Sequence, residues 1–429
     1  MIRVADVDVL VVGAGPAGLT AAAELRRLGV ERVLVAEREA EPGGVPRHSR
    51  HTGYGLRDLH RIMAGPAYAR ALTRAALRAG AEVRAGCTVT GLRAGGDRAP
   101  LGDGSRPDAG LSAVLTSARG VETVHPSAVL LATGCRERPR AARLVPGDRP
   151  AGIMTTGELQ QRVYLAGERL SGRALVVGAE HVGFSAAMTL AHAGARVIAL
   201  VTEHERHQSY GAFRAAAALR WRTPVWTSAV VRRVDGHGGR LAGAEITDAG
   251  GGNTRYVPCE LIVFTGDWIP DHVLARAAGL AIDPGTRGPA VDTALATSAD
   301  GVFAAGNLVH AAETADIAAL SGRHAARQIA AYLRGHRGTA ARVAVEATSP
   351  LLWISPNAVT AGLPPPLGRF TLRTAAFRRP ASLEVRQDGR LLVRSRPRRL
   401  IPGRPVHLAG SWLAAVDPAG GPVRVAVSS

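Results

Sequence analysis

Apolar residues fill Val7–Val12 with one interruption, Asp8, a spacing that suits a largely buried strand. A helical pattern through Ala22 and Leu25 follows, then Gly29 and a second apolar run that ends at Glu37. The predicted order is strand, tight turn, helix, strand. Further along, the pattern predicts a helix over 65–79, a strand over 82–89, a hairpin of 111–117 with 121–125, and an apolar strand over 128–132. Residues 94–110 are rich in Gly, Asp and Pro and read as an exposed loop. The opening then recurs as a strand at 173–177, a helix at 184–192 and a strand at 195–201, with Gly178 lying 165 residues after Gly13. Strands are predicted at 225–234, 242–248 and 255–266, a strand end at Gly306-Asn307, and a long helix over 314–333. From about Val343 apolar and polar residues alternate around turns such as Gln387-Asp388-Gly389, which predicts a small β domain.

The two repeated turns differ in chemistry. In the first, Gly13-x-Gly15-x-x-Gly18, Gly13 makes the turn, Gly15 lets a pyrophosphate approach the backbone, and Gly18 lets helix and strand pack closely. The helix N-terminus offers free N–H groups to the phosphates, and Glu37, nineteen residues after Gly18, stands at a strand end where a carboxylate can hold a ribose diol. In the second, Gly178-Ala179-Glu180-His181-Val182-Gly183, a carboxylate replaces the middle glycine. It crowds and repels a pyrophosphate. Thr202 holds the offset that Glu37 holds in the first unit, with Glu203 one place on, so the second unit reads as degenerate and NAD(P) binding there is disfavoured.

Composition changes this picture little. The 429 residues imply more than one core. Formal net charge is +18, yet all 53 basic residues are arginine, which points to composition bias as much as to a selected basic patch. Residues 341–429 hold 13 Arg against 4 acids, so half the excess gathers in a candidate partner surface, and no nucleic-acid motif accompanies it. Cys87, Cys135 and Cys259 lie far apart, without C-x-x-C or metal-ligand spacing; no metal site, dithiol chemistry or disulfide framework is expected. That usage, the acids in the first eight residues and the lack of any run of eighteen apolar residues predict a cytoplasmic protein with no transmembrane segment.

GAGPAGL with Glu37, the strand end Ala132-Thr133-Gly134, the second glycine turn and GVFAAGN, in that order over Val7 to Leu333, resemble the two-dinucleotide-domain flavoproteins, the glutathione-reductase-like or pyridine nucleotide-disulfide reductase-like superfamily. Within it, PGGVPRH, ATGCRERPR and PAGIMTTGELQQ resemble flavoprotein subunits of bacterial amine and opine dehydrogenases and of hydrogen cyanide synthase. The resemblance implies an α/β fold of two Rossmann-like domains, the second inserted in the first, plus a small C-terminal β-rich domain. The expected boundaries are 1–155 with 285–340 for an FAD-binding domain, 156–284 for the degenerate NAD(P)-binding-like domain, and 341–429 for the β-rich domain. The redox-active cysteine pair of the disulfide reductases is absent.

Carried over by position, FAD contacts are Gly13, Gly15, Gly18, Glu37, Gly44, His48, Thr133, Gly134, Gly306, Asn307 and Thr314. Asn307 stands where the family has Asp, and its amide can still meet the ribityl chain. The helix from Thr314 is expected to aim its N-terminus at the flavin pyrimidine edge and favour the anion that develops there on reduction. His310 and Glu313 precede that helix as candidate acid–base residues, or as its cap, while His48 and His51 follow the Gly43-Gly44 loop and either reach the cofactor or stay solvated. Cys135 reads as a packed thiol. The expected function is an FAD-dependent dehydrogenase, or one component of a larger dehydrogenase, taking hydride from an amine, an amino or imino acid, or a hydroxy acid, and passing electrons to a partner such as a second flavoprotein or to another acceptor. The alternatives are an NAD(P)H-dependent reductase of an acceptor and a non-catalytic electron-relay subunit.

Overall fold

The computed structural model describes residues 4–94, 110–209, 211, 223–311, 313–336 and 341–428, so the loop predicted over 94–110 lies almost wholly outside the described residues. Contacts divide the chain into two units: Met1–Arg47, Thr52–Cys135 and Pro270–Ser429 form the first, His48–His51 and Arg136–Ile269 the second.

The first unit opens with β1 (Val4–Val12), α1 (Pro16–Arg27), β2 (Val33–Ala36), α2 (Gly65–Arg78), β3 (Glu82–Arg84), β4 (Cys87–Arg93), β5 (Ser112–Ser117) and β6 (Gly120–Leu131). They order as β3-β2-β1-β6-β5-β4, with β1 parallel to both neighbours; Val11 sits opposite Val35 on one side and Leu130 on the other. Val9, Leu10 and Val11 are fully buried, as a strand covered on both faces requires. The strand expected over 82–89 breaks at Gly86, whose φ of +63° leaves the extended region. The hairpin arm and the apolar strand expected at 121–132 run together as one strand, β6.

The second unit carries β7 (Ile153–Thr155), α3 (Thr156–Tyr164), β8 (Arg173–Val177), α4 (His181–Ala193), β9 (Arg196–Val201), β10 (Val225–Trp226), an antiparallel meander β11 (Ala229–His237), β12 (Arg240–Asp248) and β13 (Thr254–Pro258), and β14 (Leu261–Phe264). Its parallel sheet orders as β7-β14-β8-β9-β10. Residues 136–155, expected in the first domain, belong here, because β7 pairs with β14 in the register Met154 to Val263. Residues 270–284, expected in the second, belong to the first unit, where Ala275 and Leu280 enter the core of β1 and β6.

The chain then returns to the first unit. β15 (Val302–Ala304) adds in parallel beside β6, and α5 (Ala315–Leu333) packs on α1. That packing depends on a missing side chain: a Cβ on Gly322 would stand 2.0 Å from the Ala17 carbonyl oxygen. The last segment is β-rich, with β16 (Arg342–Ala347), β17 (Leu351–Ser355), β18 (Ala358–Thr360), β19 (Arg369–Thr374), β20 (Arg378–Gln387), β21 (Arg390–Arg394), β22 (Arg398–Leu400), β23 (Val406–Ala409) and β24 (Val423–Ser428). One sheet orders as β18-β16-β24-β20-β21, with β22 on β20, and the other as β17-β19-β23. Its own core holds Phe370, Leu372, Leu383, Val385 and Val423, with Phe370 stacked on Trp412 at 5.0 Å. Among the described residues no helix is long and apolar enough to cross a membrane.

Candidate functional site

The turn between β1 and α1 is closed by two glycines and opened by a third. Gly13, at φ +102°, has no room for a Cβ, which would fall 2.6 Å from the Ala132 carbonyl; one on Gly18 would fall 2.0 Å from the Gly13 carbonyl. A Cβ on Gly15, in contrast, would meet no protein atom within 4 Å. The space in front of Gly15 therefore faces away from the protein, at the N-terminus of α1 where orphan N–H groups favour an anion. Glu37, 8% exposed, accepts from the backbone N–H of Ala14 at 2.7 Å and of Glu39 at 2.9 Å. A carboxylate has about four acceptor positions, so two remain for a diol.

Gly44, Thr133, Gly134 and Gly306 gather around this turn or α1. The Gly43 N–H donates to the Ala14 carbonyl at 2.8 Å, and a Cβ on Gly44 would approach Gly15 Cα to 3.0 Å, so the paired glycines lie directly on the turn. Ala132 touches Gly13, the Thr133 hydroxyl donates to the Asp271 carbonyl at 2.8 Å, and Gly134 follows at φ +78° with open space around it. Gly306 abuts Ala17 of α1. His48 ends the short 3-10 helix that follows Gly44 and is buried at 3% exposure.

Asn307 does more than stand in for an acid. Its amide nitrogen donates to the Glu313 carbonyl at 3.2 Å while its amide oxygen accepts from the Glu313 N–H at 2.9 Å. An Asp could not make both bonds, so the amide ties the strand end to the start of α5 and leaves less of the side chain for a ribityl group. Thr314, the residue before α5, turns its hydroxyl to Asp316, whose buried carboxylate pairs with Arg57 at 3.0 Å.

His310 and Glu313 border a small, narrow cleft. It runs from Gly306 along α5 to Arg369 and Thr371 of β19. The His310 ring lies 5.3 Å from that of Trp353, and its Nδ1 is buried without a partner; Glu313 Oε1 is likewise unpartnered. Burial, reinforced by Arg373 and His407, pushes the His310 imidazole down to about 3. Burial raises the Glu313 carboxyl, against the opposing pull of Arg373, Arg369 and Arg57. His407 is held down to about 4 by burial and then by the same arginines. Sequence reasoning missed Arg369, Arg373, His407 and Trp353. One signal was available: Arg369, Thr371 and Arg373 alternate with Phe370 and Leu372 on β19, so they share the face opposite the core.

In the second unit the turn is filled. Glu180 accepts from the Thr265 hydroxyl, and its carboxylate oxygens lie where a Cβ on Gly178 or Gly266 would come within 2.7 Å and 2.9 Å. Burial raises its pKa. Glu137 lies near it, accepting from the Gly157 N–H at 2.7 Å through one oxygen while the other is buried and unpartnered; burial, with the Glu180 charge adding, pushes this carboxyl up to about 7. Arg143 lies against the same turn, donating to the carbonyls of Thr265 and Gly266 at 2.8 and 2.9 Å. Among the described residues no group of three or more His, Cys, Asp or Glu could hold a metal ion.

The family description "Pyridine nucleotide-disulphide oxidoreductase" matches residues 7–322. The chain belongs to that family. Members bind FAD, and the open Gly15, the half-satisfied Glu37 and the Gly43-Gly44 loop fit an ADP moiety, so this pyridine nucleotide-disulphide oxidoreductase is an FAD-dependent enzyme. The chain is similar to an opine oxidase subunit of Agrobacterium tumefaciens, 34% identical over 194 residues, 44% of this chain and 35% of that one. It spans about a third of that relative's length. It is also similar to ferredoxin–NADP reductase of Salinispora tropica, 33% identical over 309 residues, 71% of this chain and 86% of that one. Among solved structures, the thioredoxin reductase of T. acidophilum superposes with a TM-score of 0.63 over 77% of this chain and 99% of that one, at 20% identity. That likeness shows the two-domain α/β fold.

Proposed function

We propose that this FAD-dependent oxidoreductase oxidises a small organic substrate at a C–N or C–O bond, as a dehydrogenase or one component of a larger one. The observation that carries this reading is the cleft at the start of α5, where two ionisable side chains, His310 and Glu313, keep buried polar atoms without partners. Such atoms are costly unless a ligand meets them. When bound, FAD supplies acceptance of a hydride from the substrate carbon. The chain's residues supply the rest. The turn at Gly15, Glu37 and the Gly43-Gly44 loop hold the ADP moiety, with Thr133, Gly134, Gly306 and the α5 N-terminus toward the remainder of the cofactor. Neutral His310 takes the N–H or O–H proton as the C=N or C=O bond forms, and Glu313 orients or shares that proton. The electron pair leaves to oxygen, a quinone or a partner protein, and the arginine-rich β domain offers that partner a basic face.

One feature weighs against a nicotinamide nucleotide as the electron source: Glu180 fills the second turn. The reductase reading keeps one support, the Salinispora relative, most of whose length this chain covers. Anaerobic addition of amines, amino and imino acids and hydroxy acids to the flavin-loaded protein tests the proposal. One class bleaches the flavin, and His310→Ala and Glu313→Gln keep FAD while slowing bleaching by roughly 10²-fold, the scale of general-base loss. If no such compound bleaches the flavin, alone or with partner proteins, the electron-relay reading replaces this one.

A further inference from the structure

Arg369 is the least expected group in the cleft. It lines the cavity from β19, and among the described residues its guanidinium makes no hydrogen bond or ion pair. Arg373, four residues further along the same face and 6% exposed, has its guanidinium 5.8 Å from the Trp353 ring and one nitrogen donating to the Gly403 carbonyl at 3.0 Å. Among the described residues neither acid near the cleft pairs with the Arg369 guanidinium. Asp316 is taken by Arg57, and burial drives Glu313 toward its neutral form. The cleft thus combines an unpaired cation, Arg369, with His310, whose Nδ1 is unpartnered and which lies in the field of Arg373.

We infer that the cleft between α5 and β19 is a binding site for a small organic carboxylate, its charge held by Arg369 in the field of Arg373 and its polar substituent turned to His310. A guanidinium presents paired donors that match a carboxylate's two oxygens. The narrow cleft suits a molecule of a few carbon atoms. Binding would also change His310. The Arg373 charge is part of what holds its imidazole down, so a carboxylate that offsets this charge makes His310 a better proton acceptor when the site is filled. The identity of the ligand as substrate rests on the proposed function; the site itself does not.

The experiment compares propionate with its uncharged isostere propionamide on flavin-loaded protein, read by tryptophan fluorescence and thermal stability, with Trp353→Phe assigning the optical signal. Propionate is expected to bind saturably, propionamide at least tenfold more weakly, and Arg369→Gln to weaken propionate at least tenfold while leaving flavin content and unliganded stability unchanged. Arg369→Lys is expected to recover part of the affinity. Equal responses to acid and amide, or an unchanged propionate affinity in Arg369→Gln, overturn the site. A second arm adds carboxylates bearing an α-amine or α-hydroxyl under anaerobic conditions. Binding with bleaching makes the ligand the substrate. Binding without bleaching keeps the site as one for an effector and counts against the organic-donor reading alone.

Discussion

Replacing Gly15 with Val separates the cofactor from the fold. A Cβ here meets no protein atom within 4 Å, and the backbone at φ −77° and ψ −176° lies in the β region that valine favours. The Cβ costs the apo-protein nothing by contact, and the gain of about 0.4–1 kcal/mol from the less flexible unfolded chain is offset by a loss of similar size, about 1 kcal/mol, because valine is a poor N-cap for α1. The methyl groups instead occupy the space in front of the α1 N-terminus. Wild-type protein with free FAD at a hundred times its dissociation constant gains about 2.7 kcal/mol from the ligand, and the variant forgoes this. Apo Gly15→Val is therefore expected to melt near apo wild type, yet below the wild-type holoprotein, with a flavin-to-protein ratio near zero. Gly18→Ala is the contrast. Its Cβ would lie 2.0 Å from the Gly13 carbonyl, so it lowers stability with or without flavin, by about 1–3 kcal/mol or more. Full flavin content in Gly15→Val, or an apo melting temperature as low as that of Gly18→Ala, refutes the assignment of Gly15 as the pyrophosphate approach.

Two further outcomes follow from the second unit. Glu180→Gly removes the carboxylate that fills the turn and is expected to speed flavin reduction by NADH or NADPH at least tenfold over wild type; no gain means that Glu180 is not the obstacle. The Glu137 carboxyl, raised from 4.5 to about 7, is protonated in the folded chain at pH values where the unfolded chain has already lost that proton. Its contribution is thus fully present below pH 4.5 and falls as pH rises toward 7, by roughly 3 kcal/mol at most. Glu137→Gln keeps an acceptor for the Gly157 N–H without titrating, so the wild-type-minus-variant stability, from urea unfolding, declines across that window; a flat difference would show that Glu137 keeps an ordinary pKa.

Much of the first unit was legible because its signals are local. The run Val7–Val12, the spacing of Gly13, Gly15 and Gly18, and Glu37 at a strand end lie within one short stretch, and the structure places them together. The second turn was legible too, since a carboxylate at the middle glycine has few places to go. The cleft was not. His310, Trp353, Arg373 and His407 meet only because β17, β19 and β23 form one sheet beside α5, and pairing between distant strands leaves little trace in local periodicity. The unit boundaries were missed for the same reason: β7 looks like the tail of the first domain until its partner β14, about a hundred residues on, is known. Asn307 looked like a weakened cofactor contact, and only the fold shows its amide bridging both polar groups of Glu313.

The most direct test of the account is a rapid-mixing comparison under anaerobic conditions, in which wild-type holoprotein meets NADH, NADPH and the organic donor that bleaches it, each at saturation. The account predicts that the organic donor reduces the flavin at least 10²-fold faster than either nucleotide, since the cleft at His310 takes the proton and the second turn is closed by Glu180. Saturable, fast reduction by NADPH at micromolar concentration, with no organic donor able to match it, would contradict the account and make the protein an NAD(P)H-dependent reductase.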